Sequence, residues 1–422
     1  MEEVRTASEQ ELREREELFA FGEGDEYLVA PTTAERFEPA SETDVLPAIA
    51  RAALITFNFL VQVVPLAMMY RTGEGWWIAI SAFALLALVP ALDHVLARKH
   101  YTLDLAVSEA NSRRLLVLQA WYLFGAFLAA VTVAASGRVE TWAAVAAVSL
   151  VGFINVHVAV TAHDFGHKRD RWNRMVSNMV CAIGGLGYFM PQHVNGHHVH
   201  VGTPEDCASA KFGESAYGFI FRAFLPEVMG GFRHEAERLR RKGLPVVSWH
   251  NDVLVSYAMS VAVAAVLVAA LGWIALPYIL LHHGFVWFSL MLNDYIQHYG
   301  LMRAMLPNGR REPQSPMLSW SAESPLCNLM TFNVQRHAYH HAKPMLSYQE
   351  LKYLPTAPTC PTGYFGMMAV AMNPLWWRHM MDPLLVRTVR GNRNRINVYP
   401  GCEARLEKLI ARYRAEEEAA FA

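Results

Sequence analysis

Long apolar stretches separated by compact polar segments set the pattern of this chain. Apolar runs near 52–70, 76–92, 115–136, 141–162, 253–272 and 273–292 reach, or nearly reach, the about 20 residues that a helix needs to cross the hydrocarbon core of a bilayer. They predict six membrane-spanning helices, paired into three hairpins by short connections after Tyr70, after Ser136 and between Gly272 and Trp273. The stretch 175–190 is shorter and carries Gly184, Gly185 and Gly187, so a buried or re-entrant piece is expected there. Segment 214–245 mixes Phe219, Phe221, Phe224 and Leu225 with Arg233, Arg238, Arg240, Arg241 and Lys242, as expected of helices lying on a membrane surface. Residues 1–45 are polar and acid-rich, and the first long apolar run begins only after Arg51, too late for a secretory signal. The stretch 403–418 reads as an exposed charged helix with a solvated face. The expected fold is all-α: an acidic soluble tail over 1–45, a six-helix membrane domain over 46–387 and a charged C-terminal segment over 388–422, without internal repeats.

Composition agrees. Of 422 residues, 53% are hydrophobic and 18% charged, with a net charge of −1, which excludes a disordered or nucleic-acid-binding chain. Basic residues are sparse in the three hairpin connections, whereas Arg98, Lys99, Arg113, Arg114, Lys168, Arg169, Arg171 and Arg174 lie near the opposite helix ends. The positive-inside bias places those ends and both termini in the cytoplasm. The five cysteines are Cys181, Cys207, Cys327, Cys360 and Cys402; none forms a C-x-x-C pair able to hold zinc, a rubredoxin iron or an iron–sulfur cluster.

Histidine carries the chemistry. Nine of the eighteen histidines cluster in segments that the topology brings to one membrane face. His163 and His167, four apart, share a helical face at the cytoplasmic end of the fourth span. HVNGHHVH supplies His193, His197 and His198; QRHAYHH supplies His337, His340 and His341; and His298 ends the sixth span. One H-x-x-x-H is weak evidence, but three clusters and a ninth histidine at one face point to metal. Nine imidazoles exceed the need of two closed tetrahedral zinc sites, while two irons with four or five nitrogens each keep positions open for dioxygen. Thiolate sites are absent, and no methionine cluster that would suit copper lies near these histidines. An all-imidazole shell leaves a strongly cationic centre, so carboxylates are expected to orient the ring N–H groups and offset that charge; Asp164, Glu205, Asp206 and Asp294 are near in sequence. His282 and His283 lie more than about 20 Å from His298 along the same helix and are expected to be hydrogen-bonded inside the bundle. His157 faces elsewhere, and His200 is left out of the ligand set.

The phrases HDFGHKRD, HVNGHHVHVGTPEDCASAKFGES, NDYIQHYGL and NVQRHAYHHAKPMLSYQELKYLPTAPTCPTGYFGMMAVAMNP resemble those of the bacterial membrane alkane omega-hydroxylases, within the wider fatty-acid desaturase and hydroxylase superfamily. The resemblance runs from about residue 76 to 387. It implies a non-haem di-iron monooxygenase of the bacterial inner membrane that oxidises a terminal methyl group with O2, and it assigns the same nine histidines as iron ligands. It also implies a separate electron donor, a rubredoxin or ferredoxin with its reductase, since no electron-carrying motif or Gly-rich dinucleotide fingerprint is present. Arg169, Arg171, Arg174, Arg238, Arg240 and Arg241 offer a basic surface for it. This sequence departs from the pattern at Ala338-Tyr339 (usually Ser-Asp), at Gln297 (commonly glutamate) and at Gly202 (usually alanine). Alternatives with nearly the same ligands are an aromatic-ring methyl hydroxylase, a desaturase and a fatty-acid decarboxylase. A metal transporter, a different class, needs polar residues spread through membrane depth. Phe57, Phe59 and Trp77 are candidate gauges of substrate length, with plain lipid-facing packing as the simpler role.

Overall fold

Apolar helices joined at one end by short turns bring all the histidine-bearing segments to the other end. The structure is a computed structural model that describes residues 45–98, 107–168 and 170–421; nearly all of the tail expected over 1–45, together with Lys99 and Arg169, lies outside the described residues. Among those residues the chain is helix, turn and loop, with isolated β-bridges and no strand. Six helical stretches are long and apolar enough to cross a membrane: Pro47–Thr72, Gly75–Ala97, Glu109–Ala135, Thr141–Gly166, Asp252–Leu271 and Ala275–His298. The chain is a multi-pass membrane protein. Side-chain caps fix several helix starts: Ser108 accepts from Asn111 N–H, Asp170 from Asn173 N–H, and Asn251 from Leu254 N–H.

The fourth span is two helices, Thr141–Ile154 and His157–Gly166. At the break, buried Asn155 donates to the Leu123 carbonyl at 3.1 Å and lies 3.0 Å from His282 Nε2, so one amide ties the third, fourth and sixth spans together. Gly152 permits this approach, because a Cβ there would lie 2.6 Å from the His282 carbonyl oxygen. The sixth span runs unbroken, and His282 and His283 bond to each other (Nδ1 to Nδ1, 3.2 Å) with both rings against Phe127. His157 pairs with the Ile154 carbonyl at 2.6 Å. These three are held inside the bundle, as their positions implied.

The short stretch near 175–190 resolves into the end of a helix, Arg171–Ile183, packed on the fourth and fifth spans, and a turn leading to Phe189–Gln192. Segment 214–245 holds one helix, Ala216–Arg241, where the pattern suggested more than one; Pro226 lies within it. Its apolar residues divide between two faces. Phe219, Ile220 and Ala223 are buried, whereas Phe221, Leu225 and Met229 are exposed. The C-terminal helix Glu403–Phe421 is charged and largely exposed, but Leu406 and Ile410 are buried and dock it beside Pro374–Thr388.

Candidate metal centre

Four segments carry the clustered histidines to one place. His163 and His167 end the fourth span one helical turn apart, their Nε2 atoms 3.2 Å apart. His193 to His197 form a π-turn, a feature often found at functional sites. In an α-helix, residues five apart face away from each other; widening to the i→i+5 pattern brings His193 and His198 together, with Nε2 atoms 3.0 Å apart. His197, between them, is directed to a second group. His298 ends the sixth span, its Nδ1 paired with the Leu318 carbonyl at 3.1 Å. The short helix His337–Ala342 presents His337 and His341 to one group and His340 to the other. Arg336, at its start, donates to Glu323 and to the Leu351 carbonyl, while buried Gln335 donates to Ser324 and Asn328. These bonds fix the helix in place.

The result is two convergent groups. His163, His167, His193, His198 and His340 each place a ring nitrogen within 4.8 Å of the others, and His197, His298, His337 and His341 do the same. The closest Nε2 pairs lie between 2.9 and 3.3 Å apart. With metal–nitrogen bonds of about 2.1 Å, neighbouring ligands are about 3.0 Å apart around an octahedral ion and about 3.4 Å around a tetrahedral one, so the spacings fit a cation in each group. Hydrogen bonds alone do not account for them. His197 and His298 direct Nδ1 at oxygen acceptors, Asp206 and Leu318, so Nε2 is the nitrogen that each turns toward its group. Burial pushes His167, His193, His198, His337, His340 and His341 below the usual histidine range, and mutual repulsion adds to it. Neutral imidazoles with inward lone pairs are what a cation requires. His197 is the exception: burial lowers it, but the Asp206 carboxylate 3.0 Å away outweighs burial and raises it.

The four acids named from sequence take different places. Asp206 accepts from His197 Nδ1 and from Ser209 Oγ. Asp294 stands near His197, Asp206 and Glu227. Asp164 accepts from Tyr348 N–H at 2.9 Å, and Glu205 is exposed. His200 joins neither group. Of the length-gauge residues, Phe57 is 43% exposed, Phe59 stacks on Tyr122, and Trp77 stacks on Trp76 at the far end of the second span. In the proposed basic surface, Arg174 pairs with Asp252 and Arg238 with Glu235, leaving Arg171, Arg240 and Arg241 exposed.

Sequence reasoning missed Glu227, a buried acid beside Asp206 and Cys207. A signal existed: Phe219, Ala223, Glu227 and Gly230 follow the three-and-four spacing of the buried helix face, and an acid on an apolar stripe is a suspect. It also missed Phe332, Val334, Leu346 and Leu351, which with Val160, His163, His337 and His340 line a cavity of about 20 Å³ touching both histidine groups.

Fold and site together define a membrane protein with a buried multi-histidine metal centre. The fatty acid desaturase family model matches residues 140–371, more than half of the chain, and the chain belongs to that family. Among characterised relatives it is 40% identical over 255 residues to alkane 1-monooxygenase 1 of Alcanivorax borkumensis, covering 60% of this chain and 62% of the relative. It is 38% identical over 259 residues to alkane 1-monooxygenase of Ectopseudomonas oleovorans, covering 61% and 65%. A more distant likeness, 24% over 319 residues, is to the xylene/toluene monooxygenase hydroxylase component of Pseudomonas putida, covering 74% and 83%. The matches to the two alkane monooxygenases span somewhat less than two thirds of those proteins.

Proposed function

We propose that this protein hydroxylates the terminal methyl group of a linear or alkyl-substituted hydrocarbon: R–CH3 + O2 + 2 electrons + 2 H+ → R–CH2OH + H2O. The observation that carries the reading is the pair of convergent histidine groups in a chain similar to alkane 1-monooxygenases. One iron would be held by His163, His167, His193, His198 and His340, and the other by His197, His298, His337 and His341. Bound there, two irons supply the activation of dioxygen for which side chains have no equivalent. The protein's own part is to hold, orient and exclude water. Burial favours the neutral form of His167, His193, His198, His337, His340 and His341, Asp206 and the Leu318 carbonyl orient His197 and His298, and apolar Val160, Phe332, Val334, Leu346 and Leu351, with Asp164 and Tyr348, wall the cavity where both groups are reached. At about 20 Å³ that cavity has room for about one small group such as a water molecule or O2.

In this reading the histidine end of the bundle and both termini face the cytoplasm of a bacterial inner membrane. A separate rubredoxin- or ferredoxin-type carrier delivers the electrons there, with Arg171, Arg240 and Arg241 as exposed cations for an acidic partner. Asp164 and Asp294 remain proposed charge-balancing acids, whereas Glu205, exposed at the surface, loses that role, and Phe59, at the junction of the first and third spans, is better placed than Phe57 or Trp77 to limit chain length. The xylene/toluene likeness keeps aromatic-ring methyl oxidation as the second reading. The test is product analysis from cells expressing the chain with a rubredoxin or ferredoxin system and fed alkanes, alkylbenzenes and fatty acids. Primary alcohols from alkanes are expected; alkenes, shortened chains or mainly secondary alcohols would sink the reading.

A further inference from the structure

Beside the four-histidine group lies a buried acid that the nine-ligand scheme does not use. Glu227 is 4% exposed on the inner face of Ala216–Arg241. No cation pairs with it among the described residues; its Oε1 instead accepts from the Cys207 thiol at 3.0 Å and from the Gln192 amide at 3.4 Å. Gly230 lets the helix press this close, since a Cβ there would lie 2.0 Å from Gln192 Oε1. Tyr188 Oη and Gln192 Oε1, both buried, have no protein partner, so the region retains hydrogen-bonding capacity of the kind internal water fills. Glu227, Cys207 and Asp206 present atoms within 4.8 Å of one another, and Asp206 leads directly to His197. Cys207, only partly buried, is the outer end. The trio is a poor cation site, because the Asp206 oxygens are already engaged by His197, Ser209 Oγ and Ala208 N–H.

We propose that Glu227 is the proton carrier of the reaction, taking protons from the solvent side past Cys207 and holding them next to the four-histidine group. The assignment rests on the hydroxylase reading, in which two protons and two electrons, the latter from a carrier protein, accompany each O2 and one oxygen leaves as water. For scale, an electron added about 10 Å from any carboxyl, at an effective dielectric constant of about 20, raises its proton affinity about tenfold. Glu227 is suited to respond. Burial, reinforced by Asp206 and opposed by Cys207, His197 and Gln192, pushes it up to about 7, so both of its forms are populated near neutrality. The ionisable groups facing it are Tyr188, His197, Asp206, Cys207 and Asp294. Glu227 acts from behind Asp206 and His197, so it is a positioning residue, not a catalytic one.

Glu227→Gln and Glu227→Asp test this in the full-length protein. Infrared spectra of metal-free wild-type protein are expected to show a protonated-carboxyl band that fades as pH rises through about 7 and is missing in E227Q. In loaded protein, the midpoint potential of the centre is expected to fall with rising pH around neutrality in wild type and to be flat in E227Q. Turnover should drop about tenfold or more, with KM for the hydrocarbon unchanged and E227D recovering much of the loss. Wild-type pH dependence of the potential and of turnover in E227Q overturns the proposal, as does an infrared band that the substitution leaves in place. If E227Q does not accumulate, the band of wild type against E227D decides, and an unmoved band again overturns it. Absence of alcohol from every hydrocarbon, with a normal redox-linked titration, would overturn the substrate reading and not the proton carrier.

Discussion

Replacing His298 by alanine separates a metal-ligand role from a packing role, because the same helix supplies its own control. His298 and His282 lie sixteen residues apart on one unbroken helix, Ala275–His298, and both are fully buried. At about 1.5 Å per residue they are about 24 Å apart, so only one of them reaches the centre. Each truncation removes an imidazole and strands its partners: the Leu318 carbonyl and Ser319 Oγ for His298, and the Asn155 amide and His283 Nδ1 for His282. Each should therefore cost about 1–3 kcal/mol per stranded group, with a further loss for the cavity. Stability will not tell the two variants apart. Metal content will. His298 Nε2 lies 3.1 Å from that of His337 in a group of only four nitrogens, and even removal of an orienting neighbour typically costs 10–100-fold in metal affinity. Loss of a ligand sets that range as a lower bound, about 1.4–2.8 kcal/mol. H298A should retain about one iron per chain after exposure to a mild chelator and lose turnover; H282A, compared at equal folded fraction, should keep both irons. The assays are elemental analysis and Mössbauer spectroscopy of purified protein, alongside alcohol formation. Two retained irons and wild-type turnover in H298A, or equal iron loss in both variants, would refute the division into two groups.

Other outcomes follow from neighbouring contacts. D206N weakens the acceptor of His197 Nδ1 and should lower iron affinity about 10–100-fold, whereas E205Q, one residue away but exposed, should leave iron binding unchanged; iron titration of both variants checks the pair. G152L drives side-chain atoms into the sixth span, where a Cβ alone would lie 2.6 Å from the His282 carbonyl oxygen, and a fall in thermal stability larger than the about 1–3 kcal/mol of ordinary overpacking is expected in detergent melts. F59A, which removes a ring stacked on Tyr122, should lengthen the preferred alkane by a few carbons and F57A should not; unchanged product profiles from an alkane ladder in both variants would remove the first span from the substrate path. Reporter fusions should place both termini in the cytoplasm, and an external C-terminus would detach the centre from the basic side of the membrane.

Much of this organisation is written in one-dimensional periodicity, and the elements that escaped it show why. Six apolar runs suffice to predict six spans, because hydrocarbon thickness fixes helix length independently of the neighbours. The nine histidines are legible for a related reason: repeated polar residues at the end of an apolar helix are costly unless they serve a function. Their division into two convergent groups is not legible from α-helical spacing. In HVNGHH the pair that meets is His193 with His198, at an offset of five, and only the π-turn makes it possible. The break at Asn155 was hidden as well, since nothing in an apolar run announces that one amide will join three spans.

The acids mark the same boundary between local and tertiary information. Sequence proximity to a histidine nominated Asp164, Glu205, Asp206 and Asp294 with equal weight, yet a difference of one residue sends Glu205 to the surface and Asp206 to His197. Proximity along the chain says little about which carboxylate meets a given ring N–H when the backbone turns between them. Glu227 is the converse case, far from any clustered histidine in sequence and adjacent to Asp206 and Cys207 in space. Its position is visible only when the helix Ala216–Arg241 is read by face. On that reading, a carboxyl on the buried stripe of an otherwise apolar surface needs a reason, and a buried acid without a cation is poised to change its protonation when the charge of its surroundings changes. Under the proposed function, the histidines mark where electrons would arrive, and the helix Ala216–Arg241, which carries none of the nine clustered histidines, marks where the accompanying protons would be held.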